Sequence, residues 1–192
     1  MQIEKSVRAV ERLYAQTDKV TSNFIKQSGI QCPSGCTKCC HGQKVSATPL
    51  EFLPYAYSLY KQGLLEDRYW ELKTKPQSTC ILVEGDEDET NGKCSEYPYR
   101  GLICRLFGNA AMTNKDGKKI LSSCSIIKAQ TAFKPDFDTI LQKSAPVVSE
   151  FYMQLRAIDN EYGSMHFPIN QAILKSMEMV YNSTRRKRKR SI

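Results

Sequence analysis

Eight cysteines constrain this chain more than any other feature, because all of them lie between Cys32 and Cys124 of its 192 residues. Cys32, Cys36, Cys39 and Cys40 crowd into one short stretch, CPSGCTKCC, and Cys80, Cys94, Cys104 and Cys124 follow at wider intervals. The first loop is kept irregular by Pro33 and Gly35. Four thiols there have no local core in which to sit as small hydrophobes, a role that suits an isolated residue such as Cys80 or Cys124. Disulfides can link eight cysteines in 105 ways. The N-terminus, MQIEKSVRAVERLYAQ, however, scatters charges where a secretory leader is apolar, so the expectation is a cytoplasmic protein with free thiols. Soft thiolates at short loop spacings converge on one ion or cluster, because a tight turn directs successive side chains inward. All eight are therefore candidate ligands of an iron–sulfur cluster, in the first place [4Fe–4S], or of zinc. A four-thiolate site contributes on the order of 10 kcal/mol to folding, comparable with a domain's whole net stability.

The rest of the sequence is globular, 41% hydrophobic and 25% charged, enough for one domain with a core. No apolar run approaches the roughly 20 residues of a membrane-spanning helix. From Ile3 to Ser28, apolar residues at steps of three and four predict a long amphipathic helix stopped by Gly29. Thr48-Pro49-Leu50-Glu51 has the form of a capping box and opens a helix to about Tyr60 with Gly63 as its stop; a shorter helix follows over Leu64–Leu72. Cys80-Ile81-Leu82-Val83 reads as a strand facing Lys93-Cys94-Ser95 across the acidic tip GDEDETNG. Pro98 starts a short helix, Tyr99 to Leu106, carrying Cys104. Asn109–Thr113 and Lys119–Cys124 form a second hairpin around Asn114-Lys115-Asp116-Gly117. Helix resumes at Asp136, breaks at Pro146 and closes at Gly163, and Pro168 opens a last helix through Val180. The predicted fold class is α+β and mostly helical, with terminal helices packed around a cysteine-rich middle that bears short β-hairpins. One domain covers 1–183, its metal-binding core about 30–125, and 184–192 is a basic, disordered tail.

Charge sharpens that division. Of the formal net charge of +8, six charges come from Arg185, Arg186, Lys187, Arg188, Lys189 and Arg190, which leaves the body at +2. The high isoelectric point is a tail property rather than evidence of a basic face on the fold. This run is the part of the sequence that speaks for contact with nucleic acid, an anionic membrane surface or an acidic partner.

Two blocks together resemble a known family. CPSGCTKCC from Cys32 to Cys40, Glu51 downstream of Val45-Ser46-Ala47-Thr48, and GKCSEYPYRGLICRLFG from Gly92 to Gly108 are similar to the CxxCxxCC, or YkgJ-like, cysteine-cluster family of zinc- or iron-chelating proteins. The resemblance runs from Cys32 to Cys124. It departs from the family pattern in the three residues between Cys32 and Cys36, where two are usual, and in Gly101, where proline is usual. It implies binding of zinc or an iron–sulfur cluster. Some proteins with similar clusters are lysine methylases, but no Gly-rich loop after a strand is present here to hold a methyl donor. Cys32-x3-Cys36-x2-Cys39 also has the radical-SAM spacing, yet Lys38 stands where those enzymes carry an aromatic, and no series of βα units follows.

Around the cysteines, the guanidinium groups of Arg100 and Arg105 suit hydrogen bonding to thiolate sulfurs; the alternative is an ion pair with Glu51 or Glu96. Tyr97, Tyr99 and Phe107 are read as walls that exclude water, His166 as an ordinary histidine, and His41, beside Cys40, as an exposed loop histidine with a ligand role as the alternative. Cys39 and Cys40 should diverge, as neighbours in an extended stretch do. One of them then joins Cys36, Cys94 and Cys104, and the other either stays free or faces a second site, for which Cys32, Cys80 and Cys124 are the candidates. The function expected is metal or iron–sulfur binding with redox or electron-transfer work toward a protein partner. Alternatives are a zinc-stabilised module that binds a protein or nucleic acid, and a metal-dependent transferase.

Overall fold

The structure, a computed structural model, describes residues 3–41, 45–74, 78–85, 91–132 and 134–190, the last six of these by their backbone alone. The acidic hairpin tip at 86–90 lies outside the described residues.

Helix α1 spans Ile3–Ser28, as the periodicity requires, and buries Ile3, Val7, Val10, Leu13, Tyr14 and Phe24 along one stripe. Thr17 and Thr21 lie in that stripe without cost, because each hydroxyl donates to a carbonyl one turn back, Leu13 O at 2.7 Å and Thr17 O at 2.9 Å. After the first cysteine loop, Thr48 leads into a 3-10 turn over Pro49–Phe52 and then α2, Leu53–Gln62, which ends at left-handed Gly63. Helix α3 covers Leu65–Thr74. The closing helices are α6, Phe137–Ser144, α7, Val148–Ile158, and α8, Ile169–Arg190, with Pro146 in the gap between α6 and α7. Helix α8 packs on α2 and on the 3-10 turn before it, while α1 packs on α2 and α7. The fold is thus α+β and mostly helical, with three two-stranded sheets among the described residues.

Differences from the sequence expectations cluster in the middle. The expected strand at Cys80 begins only at Val83: β2, Val83–Gly85, pairs antiparallel with β3, Gly92–Cys94, and Cys80 itself sits in the preceding turn. The helix expected over Tyr99–Leu106 is two pieces. A 3-10 turn covers Tyr97–Tyr99, Arg100 is extended at φ −52°, ψ 133°, and α4 covers Leu102–Leu106. The second hairpin forms as β4, Ala111–Thr113, and β5, Lys119–Leu121, but it stops short of Cys124. Cys124 instead occupies the N-cap position of α5, Ser125–Thr131, a helix the periodicity did not show. Also unforeseen is the pairing of β1, Ser46–Ala47, with β6, Phe167–Pro168, which ties the end of the cysteine loop to the start of α8. Two residues are too short a run to leave an alternating pattern. The backbone of the basic run continues α8 to Arg190, past the boundary at 183 expected from the last periodic apolar residue.

Buried side chains form two clusters. The larger gathers α1, α2, α3, α4, α7 and α8, with Leu50, Leu102, Leu155, Ile173 and Val180 fully enclosed. The smaller joins Phe24 and Ile30 to Ala111, Leu121, Ile127, Phe137 and Leu141. The cysteine-bearing segments lie along the seam: Cys40, Cys80, Cys94 and Cys104 pack on the larger cluster and Cys124 on the smaller.

Candidate metal centre

All eight cysteines line one cavity of about 260 Å³. Five segments bring them there. The first loop supplies Cys32 and Cys36 and then winds into a 3-10 turn over Lys38–Cys40. Its carbonyl at Cys40 accepts from the Cys80 N–H at 2.8 Å, so the second segment is stitched to the first by backbone. The β2–β3 hairpin docks on the same loop. Gly92 N–H donates to Gly35 O at 2.8 Å, and a side chain at 92 would stand 2.6 Å from Thr37 Cγ2, a gap that only glycine fits. Cys94 enters from β3 and Cys104 from α4. Cys124 arrives at the start of α5, which a reciprocal pair fastens to the first loop: Gln31 N–H donates to Gln130 Oε1 at 3.2 Å, and Gln130 Nε2 donates to Gln31 O at 3.0 Å.

Apolar side chains, among them Phe52, Leu82, Phe107, Ile127 and Ile169, complete the walls, and Lys38, Tyr97 and Arg100 lie on the polar side. Burial pushes the Cys104 thiol up to about 12 and the Cys80 thiol up to about 11, and it raises Cys94 as well. Cys32 rises to about 11 through burial and its hydrogen-bonded neighbour Cys36. Cys39 goes the other way, down to about 6, because the Cys40 thiol hydrogen-bonds to it and the Arg100 guanidinium faces it; Cys40, the other member of that pair, is raised. Burial thus disfavours the thiolate form at Cys80, Cys94 and Cys104, whereas the Cys40 hydrogen bond and the Arg100 guanidinium favour it at Cys39.

Cys39 and Cys40 do not lie in the extended stretch from which their divergence was predicted. The pair lies in a 3-10 turn, and the two thiols are hydrogen-bonded. The predicted grouping changes too. Cys80 has Cys94 and Cys39 beside it, whereas the neighbours of Cys32 are Cys36, Cys39 and Cys124, so Cys39 adjoins both groups. Cys80 thus stands with Cys94 and Cys104 rather than with Cys32 and Cys124.

The two arginines separate. Arg100 lines the cavity, lies 4.8 Å from the Tyr97 ring centroid and donates through Nη2 to Cys104 O, which fixes the backbone of a ligand candidate. Burial alone would lower its pKa; Cys104, Tyr97 and Cys94 facing it raise it instead. Arg105 turns away from the sulfurs. It stacks on Tyr14 at 4.3 Å, pairs with Asp18, and donates to Pro98 O at 2.7 Å and Arg100 O at 3.0 Å. Neither arginine pairs with Glu51 or Glu96 among the described residues. Tyr97 and Phe107 line the cavity, but Tyr99 does not, its hydroxyl donating to Ser58 Oγ at 3.0 Å. His41 lies between Thr37 and Thr79, with ring nitrogens 3.3 and 3.4 Å from their hydroxyls, and is absent from the lining. His166 packs edge-on against Tyr152 at 5.5 Å.

Glu51 has a place that sequence reasoning missed. Its carboxylate is fully buried and accepts from Thr48 N–H at 2.7 Å, Ile103 N–H at 2.8 Å and Tyr152 OH at 3.0 Å, while Tyr14 OH donates to its carbonyl. One carboxylate therefore caps the turn before α2 and the start of α4, the helix that carries Cys104. Burial raises its pKa. The capping-box spacing was the available signal, but it pointed only to the nearer of the two caps.

Among the described residues no three Cys, His, Asp or Glu side chains stand in position to hold a metal ion as they are placed. The donor set itself fits one. Eight thiols on five converging segments, walled by apolar groups and faced by a guanidinium, have the chemistry of a zinc or iron–sulfur site and not of a hard-cation site, which would take oxygen donors. Fold and site together define a cysteine-cluster chelating domain set between helices. Residues 31–125, which hold all eight cysteines, match the family CxxCxxCC, described as "putative zinc- or iron-chelating domain", and this segment belongs to that family. No curated protein and no solved structure matches the chain.

Proposed function

We propose that this protein binds an iron–sulfur cluster, [4Fe–4S] in the first place, or zinc, through cysteine thiolates in the seam between its two apolar clusters, and that it does so in the cytoplasm. The observation that supports this is the convergence of all eight cysteines on one cavity although they span 32–124 of the chain. The chain's own residues have separable parts in it. Cysteines from the first loop, the turn before β2, β3, α4 and the start of α5 supply donors. Arg100 balances negative charge next to Cys39 and holds the Cys104 carbonyl. Tyr97 and Phe107 line the cavity beside the sulfurs. A bound cluster would supply one-electron redox chemistry, while zinc would supply a structural crosslink.

Electron transfer toward a protein partner is the reading for a cluster. For zinc, the seam favours the second reading, a metal-stabilised interaction module, since an ion there would weld two apolar clusters that otherwise meet across irregular loops. Anaerobic purification with metal and acid-labile sulfide analysis tests both. A brown protein absorbing near 400 nm with iron and sulfide supports the cluster, and a colourless one with stoichiometric zinc supports the module. Protein that takes up neither iron nor zinc under reducing conditions overturns the proposal.

A further inference from the structure

The cysteines do not surround the cavity evenly, and from their placement we infer that the cavity is two four-thiolate metal sites side by side: an inner site of Cys40, Cys80, Cys94 and Cys104, and an outer site of Cys32, Cys36, Cys39 and Cys124. The inference rests on the metal-binding reading above and adds number, ligand sets and order to it.

The inner set is defined by packing. These four cysteines, and no others, are attached to the larger apolar cluster among the described residues. They are also linked by backbone: Cys80 N–H donates to Cys40 O at 2.8 Å, Val83 N–H donates to Cys80 O at 3.1 Å, and Val83 is the ladder partner of Cys94. Cys104 joins them from α4, whose start is clamped by the buried Glu51 carboxylate through Ile103 N–H at 2.8 Å. Every member is held by a strand, a helix or a backbone bond to another member.

The outer set is held differently. Cys124 packs on the smaller cluster, at the N-cap position of α5. The Gln31–Gln130 pair fastens that helix to the residue before Cys32, so the first and last cysteines of the sequence are carried to one place. Cys36 follows Cys32 within a turn closed by its own N–H donating to Pro33 O at 3.2 Å. Cys32 and Cys39 are exposed, and no outer-set member is fully buried, whereas Cys80 of the inner set is.

Cys39 and Cys40 are the join. In a 3-10 turn, successive side chains are rotated by about 120°, so the adjacent residues leave on different sides of the turn; Cys39 has Cys32 beside it and also adjoins Cys80 and Cys104, which puts it at the boundary between the two sets. Two sites of four soft donors each suit zinc or one [4Fe–4S] cluster apiece. The inner set is pre-positioned by secondary structure and should fill first, and the outer set should follow with lower affinity.

The test is zinc and cobalt(II) titration of the full-length chain, anaerobically reduced and stripped with chelator. Native mass spectrometry counts the ions, and the sulfur-to-cobalt charge-transfer band reports thiolate ligation. The expected result is two ions per chain with equal band intensity per cobalt, bound in two resolved steps. A Cys32→Ser/Cys124→Ser variant should bind one ion, at the affinity of the wild type's tighter step, with an unchanged helical circular dichroism spectrum. Because an inner-site variant may fail to fold, the outer pair carries the test. One ion in the wild type, or two ions or none in the outer-pair variant, overturns the two-site assignment while leaving metal binding intact. A wild-type chain that binds neither ion, and takes up no iron on anaerobic reconstitution with iron and sulfide, overturns the reading beneath it.

Discussion

Replacing Glu51 by alanine should cost this protein a large share of its stability without touching a cysteine. The carboxylate is fully buried, and its three hydrogen bonds, at 2.7, 2.8 and 3.0 Å, go to the backbone N–H groups of Thr48 and Ile103 and to the Tyr152 hydroxyl. Truncation leaves those donors in an apolar interior, each at a cost of about 1–3 kcal/mol. Taken over the three donors, with water entering the vacated space, the loss is about 3–6 kcal/mol, against a typical net stability of about 5–15 kcal/mol. Glu51→Gln has the same shape and retains one carbonyl oxygen as acceptor, so its loss should be smaller, about 1–2 kcal/mol. The assay is urea unfolding of reduced, chelator-treated protein, in which metal makes no contribution and a two-state analysis applies. The alanine variant, if soluble, should also bind zinc more weakly, because α4 carries Cys104. An alanine variant within about 1 kcal/mol of wild type would refute the double-cap reasoning.

Glu51 also sets a pH dependence. Its folded pKa lies above the ordinary 4.5 because of burial, so the folded state keeps a proton that the unfolded chain gives up. Stability from this group is therefore fully present below 4.5 and falls as pH rises through the folded value. The wild-type urea midpoint should decline over this range relative to that of Glu51→Gln, and parallel midpoints would contradict the assignment. Gly101→Ala should destabilise by about 1–3 kcal/mol through overpacking, because its Cβ would stand 2.9 Å from Phe52 Cζ and 3.1 Å from Glu51 Oε2; thermal melts check this. Chelation, or serine at Cys94 or Cys104, should lower the Tm of the metal-loaded protein sharply, and an unchanged Tm by calorimetry would remove the structural role of the metal. Deleting 185–190 should leave metal content and circular dichroism intact while weakening binding to heparin or RNA and flattening its salt dependence, since among the described side chains of α8 the last buried one is Val180. Loss of soluble protein on that deletion would show instead that the run packs on the body.

Where a long periodic signal existed, the sequence was enough. The 26-residue α1 is stated by its own apolar spacing, and Gly63 and Pro146 mark real ends. The short middle elements were less legible for a physical reason. A three-residue strand, or the five-residue α4, has too few positions for periodicity to distinguish strand from helix from turn. Its geometry is decided by what it packs on. Cys80 and Cys124 were accordingly placed on strands that they do not occupy, and α5 was not foreseen. Arg105 shows the same limit: its guanidinium was suited to a sulfur or a carboxylate by chemistry alone, and only the approach of α1 gave it Tyr14 and Asp18.

The sequence alone determined the kind of donors this protein offers. Residue identity fixes softness, charge and donor count, and clustered thiols suit soft and borderline metals rather than hard cations. The tertiary structure alone decided which thiols are neighbours. That depends on backbone stitches between distant segments, Cys40 to Cys80 and Gln31 to Gln130, and on a buried carboxylate that spans from Thr48 to Ile103. Such contacts are set by the packing of two apolar clusters against each other, and one-dimensional spacing carries no record of them.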